Sequence, residues 1–424
     1  MNDIMCMVLQ KACAALSVLL MAMCGVRLLA RLWRVVRGEE SFCGRDTKEE
    51  YGFASRQHML MAMCAALLSR LLIYLLAYAM YRFEGGTGSF AGTLEPLWSH
   101  WDTRHYVGIA QEGYTAVGDE RLRLVFFPLF PMMMRLLSPL TGGNVFLAGL
   151  LISLMSTAGS AALLYDLAHV HYGARTAAMA TAFFLLSPMS VFLCCCYTEG
   201  LFIFLTLAAM ALMRRGHPWY AAAVGFLCAF TRMPGVIVAG LMIIAAIGRC
   251  GQEGLRVRTV FACAGQVLIV FSGLFLYWGI NYAVTGDPFM YMTYQLENWY
   301  QAVGSFWKSM ENTVYYALST VGDGDWMYTW GFQLLCMLYV FVLLAFRGGR
   351  LPFDLEAYSF VYVAVVLAPT WLLSGPRYLY ALTPLHLLKA RAHESRAMDA
   401  LALAAHAVLL VVFVYGYTIA VEVL

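Results

Sequence analysis

Charge is what this sequence has least of. Only 12% of its 424 residues are Asp, Glu, Lys or Arg, while 62% are hydrophobic and the mean hydropathy is +0.70. A soluble domain carries about 25% charged residues and about 45–50% apolar ones. The deficit excludes a soluble globular protein and leaves a polytopic membrane protein. Lysine is scarcer still: Lys11, Lys48, Lys308 and Lys389 are the only ones. The formal net charge of +3 is too small for a nucleic-acid surface, so nucleic acid is excluded as a partner.

Other patterns are missing too. The twelve cysteines include the run Cys194-Cys195-Cys196 but no C-x-x-C unit. Most lie in apolar stretches, where cysteine behaves as a small hydrophobe, so neither a disulfide framework nor a zinc site is expected. There is no Rossmann or P-loop pattern, no repeat period and no low-complexity tract. No cleavage site of small residues follows the first apolar stretch, which runs from Val8 to Ala30 with Lys11 near its start and Arg27, Arg31 and Arg34 at its end. It reads as a retained helix rather than a signal peptide.

What remains is a series of apolar runs. A spanning helix needs roughly 20 apolar residues. The candidates are 8–30, 58–81, 144–168, 175–195, 199–213, 258–282, 326–346, 355–373, 376–390 and 398–422. Cytoplasmic loops collect arginine and lysine. That rule places 31–57 inside, with Arg31, Arg34, Arg37, Arg45, Lys48 and Arg56. It also places inside the turn at Arg214 and Arg215, the cluster Arg249, Arg256 and Arg258, the pair Arg347 and Arg350, and the group Lys389, Arg391 and Arg396.

One constraint follows. Residues 216–248 have inside-type loops at both ends, so the chain crosses an even number of times or not at all. At about 1.5 Å per residue so short a stretch cannot make two full spans. A hairpin of two short helices fits, broken at Thr231-Arg232-Met233-Pro234-Gly235. Such a break is tolerated at membrane depth only where protein or a water-filled cavity surrounds it. The opposite face then collects 82–143, the turn at Tyr197-Thr198-Glu199, the Arg232 tip, the loop 283–325 and Ser374-Gly375-Pro376-Arg377-Tyr378. Within 82–143, Phe126-Phe127-Pro128-Leu129-Phe130-Pro131 reads as an interfacial or re-entrant segment, because two prolines interrupt it.

The polar motifs therefore share one face. His100-Trp101-Asp102-Thr103-Arg104-His105-Tyr106 places a carboxylate among aromatics at a membrane interface. A partly desolvated carboxylate there suits a general base. The plainer reading is that Asp102 caps a short helix from Thr103 to Gln111. His105 shares its helix face and either orients a substrate hydroxyl or phosphate, or is structural. One Asp with one or two His is too few ligands for a metal, so no metal and no cofactor are expected. Arg232 and Arg377 are membrane-embedded guanidiniums, which bind phosphate through paired hydrogen bonds. The alternative for Arg377 is snorkelling to the headgroups. Glu199 starts a helix, where the dipole alone favours a carboxylate. Asp287, in Thr285-Gly286-Asp287-Pro288, reads as a turn residue. Gln295 and Trp299 follow at helical spacing, either lining a sugar subsite or facing solvent on an amphipathic helix.

Taken in order, Trp101-Asp102-x-x-His105-Tyr106, Gly113-Tyr114, Phe126 to Pro131, Tyr197-Thr198-Glu199-Gly200-Leu201-Phe202 and Thr231-Arg232 resemble the PIG-V type mannosyltransferases of the GT-C superfamily. The Gly286-Asp287-Pro288 turn and Ser374 to Tyr378 are similar to later blocks of bacterial relatives. The resemblance covers roughly residues 95–380. It implies an all-α integral-membrane bundle of about 10–12 spans, some short, with interfacial helices in the first extracytoplasmic loop. It implies an inverting transfer from a polyprenyl-phosphate sugar, mannose in the eukaryotic enzymes, to a glycolipid or cell-envelope glycan, at a site facing away from the cytoplasm. Asp102 corresponds to the base, and Trp101, His105, Tyr106, Glu199, Arg232, Arg377 and Tyr378 are the expected substrate contacts.

The expected organisation is an N-terminal helix and cytoplasmic loop at 1–57, a catalytic membrane domain at 58–395 and a C-terminal helix at 396–424. Short connections and the absence of a large soluble domain favour a bacterial plasma membrane, with the endoplasmic reticulum second. Membrane lipid is an implied partner; no protein partner is read. The rival is a transporter or flippase of a lipid-linked sugar. An enzyme needs loop 82–143 ordered over a cavity, and a transporter does not. Transporters also often show paired halves, which this sequence lacks.

Overall fold

The computed structural model describes residues 3–43, 54–323, 326–392 and 395–421, and contains no strand among them. Arg45 and Lys48 of the expected first inside loop lie outside the described residues. Seventeen α-helices follow in order: α1 (Asp3–Val36), α2 (Arg56–Phe83), α3 (Phe90–Trp98), α4 (Asp102–Glu112), α5 (Leu129–Leu137), α6 (Val145–Leu186), α7 (Glu199–Arg214), α8 (Pro218–Thr231), α9 (Ala239–Glu253), α10 (Val257–Thr285), α11 (Met290–Trp299), α12 (Phe306–Ser319), α13 (Trp330–Arg347), α14 (Phe353–Val366), α15 (Gly375–Tyr380), α16 (Thr383–Ala390) and α17 (Arg396–Thr418). Seven described helices are long and apolar enough to cross a membrane, or up to nine if each of two bent helix pairs is one span. The architecture is the all-helical, polytopic one expected, but several expected spans are shorter than a bilayer.

The differences have local causes. Segments 144–168 and 175–195, expected as two spans, are the two arms of α6, which meet at Gly173 with φ +83° and ψ +173°; the second arm is shorter than expected. Only glycine visits that region at little cost. The chain reverses there, since Cys196, beyond the second arm, donates to Phe146 O at the start of the first. The second arm stops at Leu186 because Pro188 follows and cannot extend it. A 3₁₀ helix, Pro188–Cys194, carries the chain on, and α7 leaves it at 100°. The expected span 355–373 is a 14-residue helix, α14, and 376–390 is split into α15 and α16 ahead of Pro384.

Small residues let the long helices approach. The buried stripe of α2 is Ala62, Ala66, Arg70, Ile73, Tyr74 and Ala77, spaced at helical turns and packed on α6. Its other face carries Met61, Leu68 and Leu72, all exposed, as a lipid-facing stripe would be. α8 pairs with α10 at Gly273, where an added Cβ would come within 2.4 Å of Phe226 O.

The 216–248 hairpin is present, but only its first arm is short: Met233–Glu253 together is long and apolar enough to cross a membrane. α8 rises to Thr231, Arg232 takes an extended conformation (φ −157°), a 3₁₀ turn spans Met233–Val238, and α9 returns. The arginine-rich segments meet at one end of the bundle. There Arg27 pairs with Glu356 at 2.5 Å and donates to Leu344 O, Arg31 pairs with Glu40 and Glu356, Arg214 pairs with Asp354 at 2.6 Å, and Arg215 pairs with Asp166. α1 packs on α9, α12, α13 and α14. The polar motifs meet at the other end.

Candidate functional site

Four ionisable residues from four separate parts of the chain form one cluster. Asp102 is the first residue of α4, Glu199 the first of α7, Arg232 sits at the break after α8, and Arg377 lies in α15. Arg377 Nη1 lies 2.8 Å from Asp102 Oδ2, and its Nε lies 3.2 Å from Glu199 Oε1. Arg232 Nη1 donates to the same Glu199 oxygen at 2.5 Å. Glu199 thus ties the two guanidiniums together, and Arg377 reaches from it to Asp102. The Tyr378 ring sits 4.8 Å from the Arg232 guanidinium and 5.7 Å from that of Arg377. Tyr197 and Phe192 face Arg377 at 5.1 and 5.3 Å. Such cation–π contacts favour cations held away from water.

Exposure separates the two carboxylates. The Glu199 side chain is 2% exposed and the Asp102 side chain 24%. Both line a cavity of about 410 Å³, Glu199 with its side chain almost wholly covered and Asp102 more open to it. That volume is within the range of small-ligand sites, about 300–1,000 Å³. Its walls include Trp101, Tyr106, Phe126, Phe127, Glu199, Arg232, Arg377 and Tyr378. Loop 82–143 contributes Trp101, Asp102, Tyr106 and the stretch from Val125 to Phe127 to its lining. Its 3₁₀ helix Asp119–Val125 bends 107° into the helical segment Leu129–Thr141, with Phe126 and Phe127 at the bend.

The alternatives for single residues are decided by geometry. No side-chain cap is made at the start of α4, so the Asp102 carboxylate is not spent on capping. Arg377 is buried and paired, not snorkelling. Glu199 both opens a helix and binds the arginines. Asp287 makes the expected turn, accepting from Phe289 N at 2.8 Å. Trp101 and Tyr106 line the cavity; the Tyr106 hydroxyl lies 3.5 Å from Thr198 Oγ1. His105 stands apart. It does not line the cavity, and its ring stacks on Phe126 with centroids 4.6 Å apart. Burial lowers its imidazole pKa, Asp102 pulls it up, and Arg123 lowers it further.

Sequence reasoning passed over the residues that hold the Glu199 turn. Segment 184–196 runs from the end of α6 into the 3₁₀ helix Pro188–Cys194 inside the bundle, and side chains bind several carbonyls that have no α-helical partner there. Arg70, fully buried on α2, donates to Leu185 O at 2.7 Å and to Ser190 O. Tyr74 donates to Cys194 O at 2.8 Å, Ser153 to Cys195 O at 2.7 Å and Tyr380 to Phe184 O at 2.9 Å. A lone arginine within the apolar run 58–81 was the available signal.

Strain collects here too. Among the described residues, the non-glycine positive-φ positions are Trp101 (+45°), Tyr300 (+54°), Ser374 (+96°) and Ala420 (+57°). Trp101 precedes Asp102, and Ser374 precedes the helix of Arg377. Each such residue costs about 1–3 kcal/mol, and such strain clusters at functional sites. No group of three or more His, Cys, Asp or Glu among the described residues is placed to hold a metal ion.

The family model for Mannosyltransferase (PIG-V) matches residues 87–345, more than half of the sequence. The chain belongs to the PIG-V mannosyltransferase family. Three of the four clustered residues fall inside that match, and Arg377 lies beyond it. GPI alpha-1,6-mannosyltransferase 2 of Mus musculus is 33% identical over 155 residues, which are 34% of this chain and 31% of the relative. The Homo sapiens protein of that name is also 33% identical, over the same shares. The match therefore spans about a third of these relatives' length. Among solved structures, ArnT from Cupriavidus metallidurans bound to undecaprenyl phosphate is similar at a TM-score of 0.47 and 13% identity, covering 87% of this chain and 77% of that one.

Proposed function

We propose that this PIG-V family member transfers mannose, with inversion, from a polyprenyl-phosphate donor to a glycosylphosphatidylinositol precursor. The observation that carries the reading is the pairing of Asp102 with Arg377 at 2.8 Å, beside Arg232, on the wall of one cavity. Asp102 accepts the proton of an acceptor hydroxyl as that oxygen bonds to the anomeric carbon. The bond from this carbon to the phosphate oxygen breaks, and its electron pair leaves with the polyprenyl phosphate. Arg232 and Arg377 stabilise the charge that builds on the leaving group. Glu199 positions both guanidiniums and keeps their forks turned toward the cavity.

The placement of loop 82–143 on the cavity wall supports an enzyme over a transporter. Because the arginine-rich end is the cytoplasmic one by the charge rule, the cavity faces the other side. The relatives matched are mammalian GPI mannosyltransferases by name. They favour the endoplasmic reticulum membrane, with a lumenal site. They lend no support to the bacterial plasma membrane expected from the short connections.

The experiment is an assay of membranes carrying the full chain against a panel of polyprenyl-phosphate sugars, with Asp102→Asn in parallel. The expected result is mannose transfer by the wild type and a loss of about 10²–10⁴-fold in the variant, at unchanged protein yield. Near-normal turnover by Asp102→Asn removes Asp102 as the base.

A further inference from the structure

The ion cluster accounts for a phosphate and a proton, but not for the recognition of a sugar. A second polar group lines the same cavity, on α11 and the turn after it. Gln295, Trp299 and Gln301 are all half-buried on that wall. Gln295 Nε2 donates to Gln301 Oε1 at 2.7 Å. Tyr300 makes this pair possible. It ends α11 in the left-handed conformation, φ +54° and ψ +22°, and so folds Gln301 back over the helix. A tyrosine adopts that conformation only when its surroundings impose it. The imposition is visible: Ala302 N donates to Thr370 Oγ1 at 3.1 Å, Thr370 N donates to Ala302 O at 3.0 Å, and Asn312 donates to Thr370 O. The turn is thereby fixed to the segment that leads to Ser374 and Arg377.

We propose that Trp299, Gln295 and Gln301 form the subsite for the transferred hexose; this rests on the transfer reading above. The chemistry suits a pyranose. Two adjacent carboxamides present donors and acceptors together, which match vicinal hydroxyl groups that both give and accept hydrogen bonds. One amide hydrogen bond joins the pair, so each side chain keeps capacity for a ligand. Trp299 supplies an aromatic surface against the apolar C–H face of the ring. It is set in place by edge contacts to Phe126 and His105, with centroids 5.9 and 6.2 Å away. The hexose must occupy this cavity because it is covalently tied to the phosphate that the arginines bind. The acceptor needs to bring only one hydroxyl to Asp102.

The test compares Gln295→Leu, Gln301→Leu and Trp299→Phe with wild type in the full chain. Three quantities are read: KM for polyprenyl-phosphate mannose, KM for the acceptor, and the inhibition constant of sugar-free polyprenyl phosphate. The expected result is a rise of about tenfold in donor KM for each glutamine variant. Inhibition by the sugar-free lipid stays unchanged, which also reports that the variants are folded. Discrimination between mannosyl and glucosyl donors narrows. An equal loss of affinity for the sugar-free lipid overturns the subsite, as does a rise confined to acceptor KM. Should a leucine variant fail to fold, Gln301→Asn, which keeps the amide but shortens its reach, is expected to give the same donor-specific rise; wild-type donor KM there overturns the subsite. A wild type that transfers no sugar from any donor sinks the transfer reading itself, whereas active wild type with unaltered variants sinks only the subsite.

Discussion

Asp102 and Glu199 bind the same guanidinium on the wall of one cavity, yet Asp102 is the more exposed of the two, 24% against 2%. Their surroundings thus differ in depth rather than in residue type. The sequence made Asp102, Arg232 and Arg377 visible because charges are rare in an apolar chain. It could not show that Glu199 would be the common partner of both arginines, since helix-start carboxylates are common and partners distant in sequence leave no local trace. His105 was visible for the same reason as Asp102, but the coordinates turn its ring onto Phe126. Its imidazole is disfavoured in the charged form by burial, with Arg123 adding to this against Asp102. The unfolded chain takes up this proton below about pH 6.5, and the folded chain does so only at lower pH. The contribution of His105 to stability is therefore present above that pH and lost as pH falls through the window below it. His105→Phe is expected to retain transfer activity and to flatten the acid limb of thermal stability between pH 7 and 5, followed by unfolding of detergent-solubilised protein.

The hairpin of α8 and α9 shows what a spacing argument can do at the scale of elements. Two arginine-rich loops with too few residues between them required a broken pair of short helices, and Pro234 and Gly235 marked the break. The reason for the glycine appears only in three dimensions. A Cβ on Gly235 would lie 2.2 Å from the backbone of Cys228, so the 3₁₀ turn can lie against α8 only without a side chain. Gly235→Ala is expected to push the turn off α8 and displace Arg232 from Glu199. The measurable outcome is a loss of transfer of at least tenfold, with a lowered thermal midpoint; overpacking of this kind costs about 1–3 kcal/mol. The reversal at Gly173 was less legible. The gap at 169–174 between two expected spans is helical on both sides, and the break falls on the single residue Gly173.

For the molecule as a whole, the arginines gathered at one end of the bundle do more than mark an orientation. The charge rule counts Arg and Lys and ignores their partners, so it could not anticipate that Asp166, Asp354 and Glu356 turn topological markers into staples between helices. Glu356 is the most consequential, since its two oxygens meet Arg27 and Arg31 and so fasten α1 to the start of α14. Removing one partner of a buried pair costs about 3–5 kcal/mol. Glu356→Gln is expected to lower the thermal midpoint clearly and to raise protease access to α1, with less effect on donor KM. An unchanged melting curve shows that apolar packing alone retains the first helix.

The quartet is also assembled in a fixed order. Asp102, Glu199 and Arg232 leave the ribosome well before Arg377, and until α15 is made a single guanidinium faces two carboxylates in apolar surroundings. A chain halted at that point lacks the arginine partner of Asp102 and one of the two arginine partners of Glu199. Chains cut short before α15 are therefore expected to be degraded faster in membranes than the full chain, a difference that pulse-chase labelling measures.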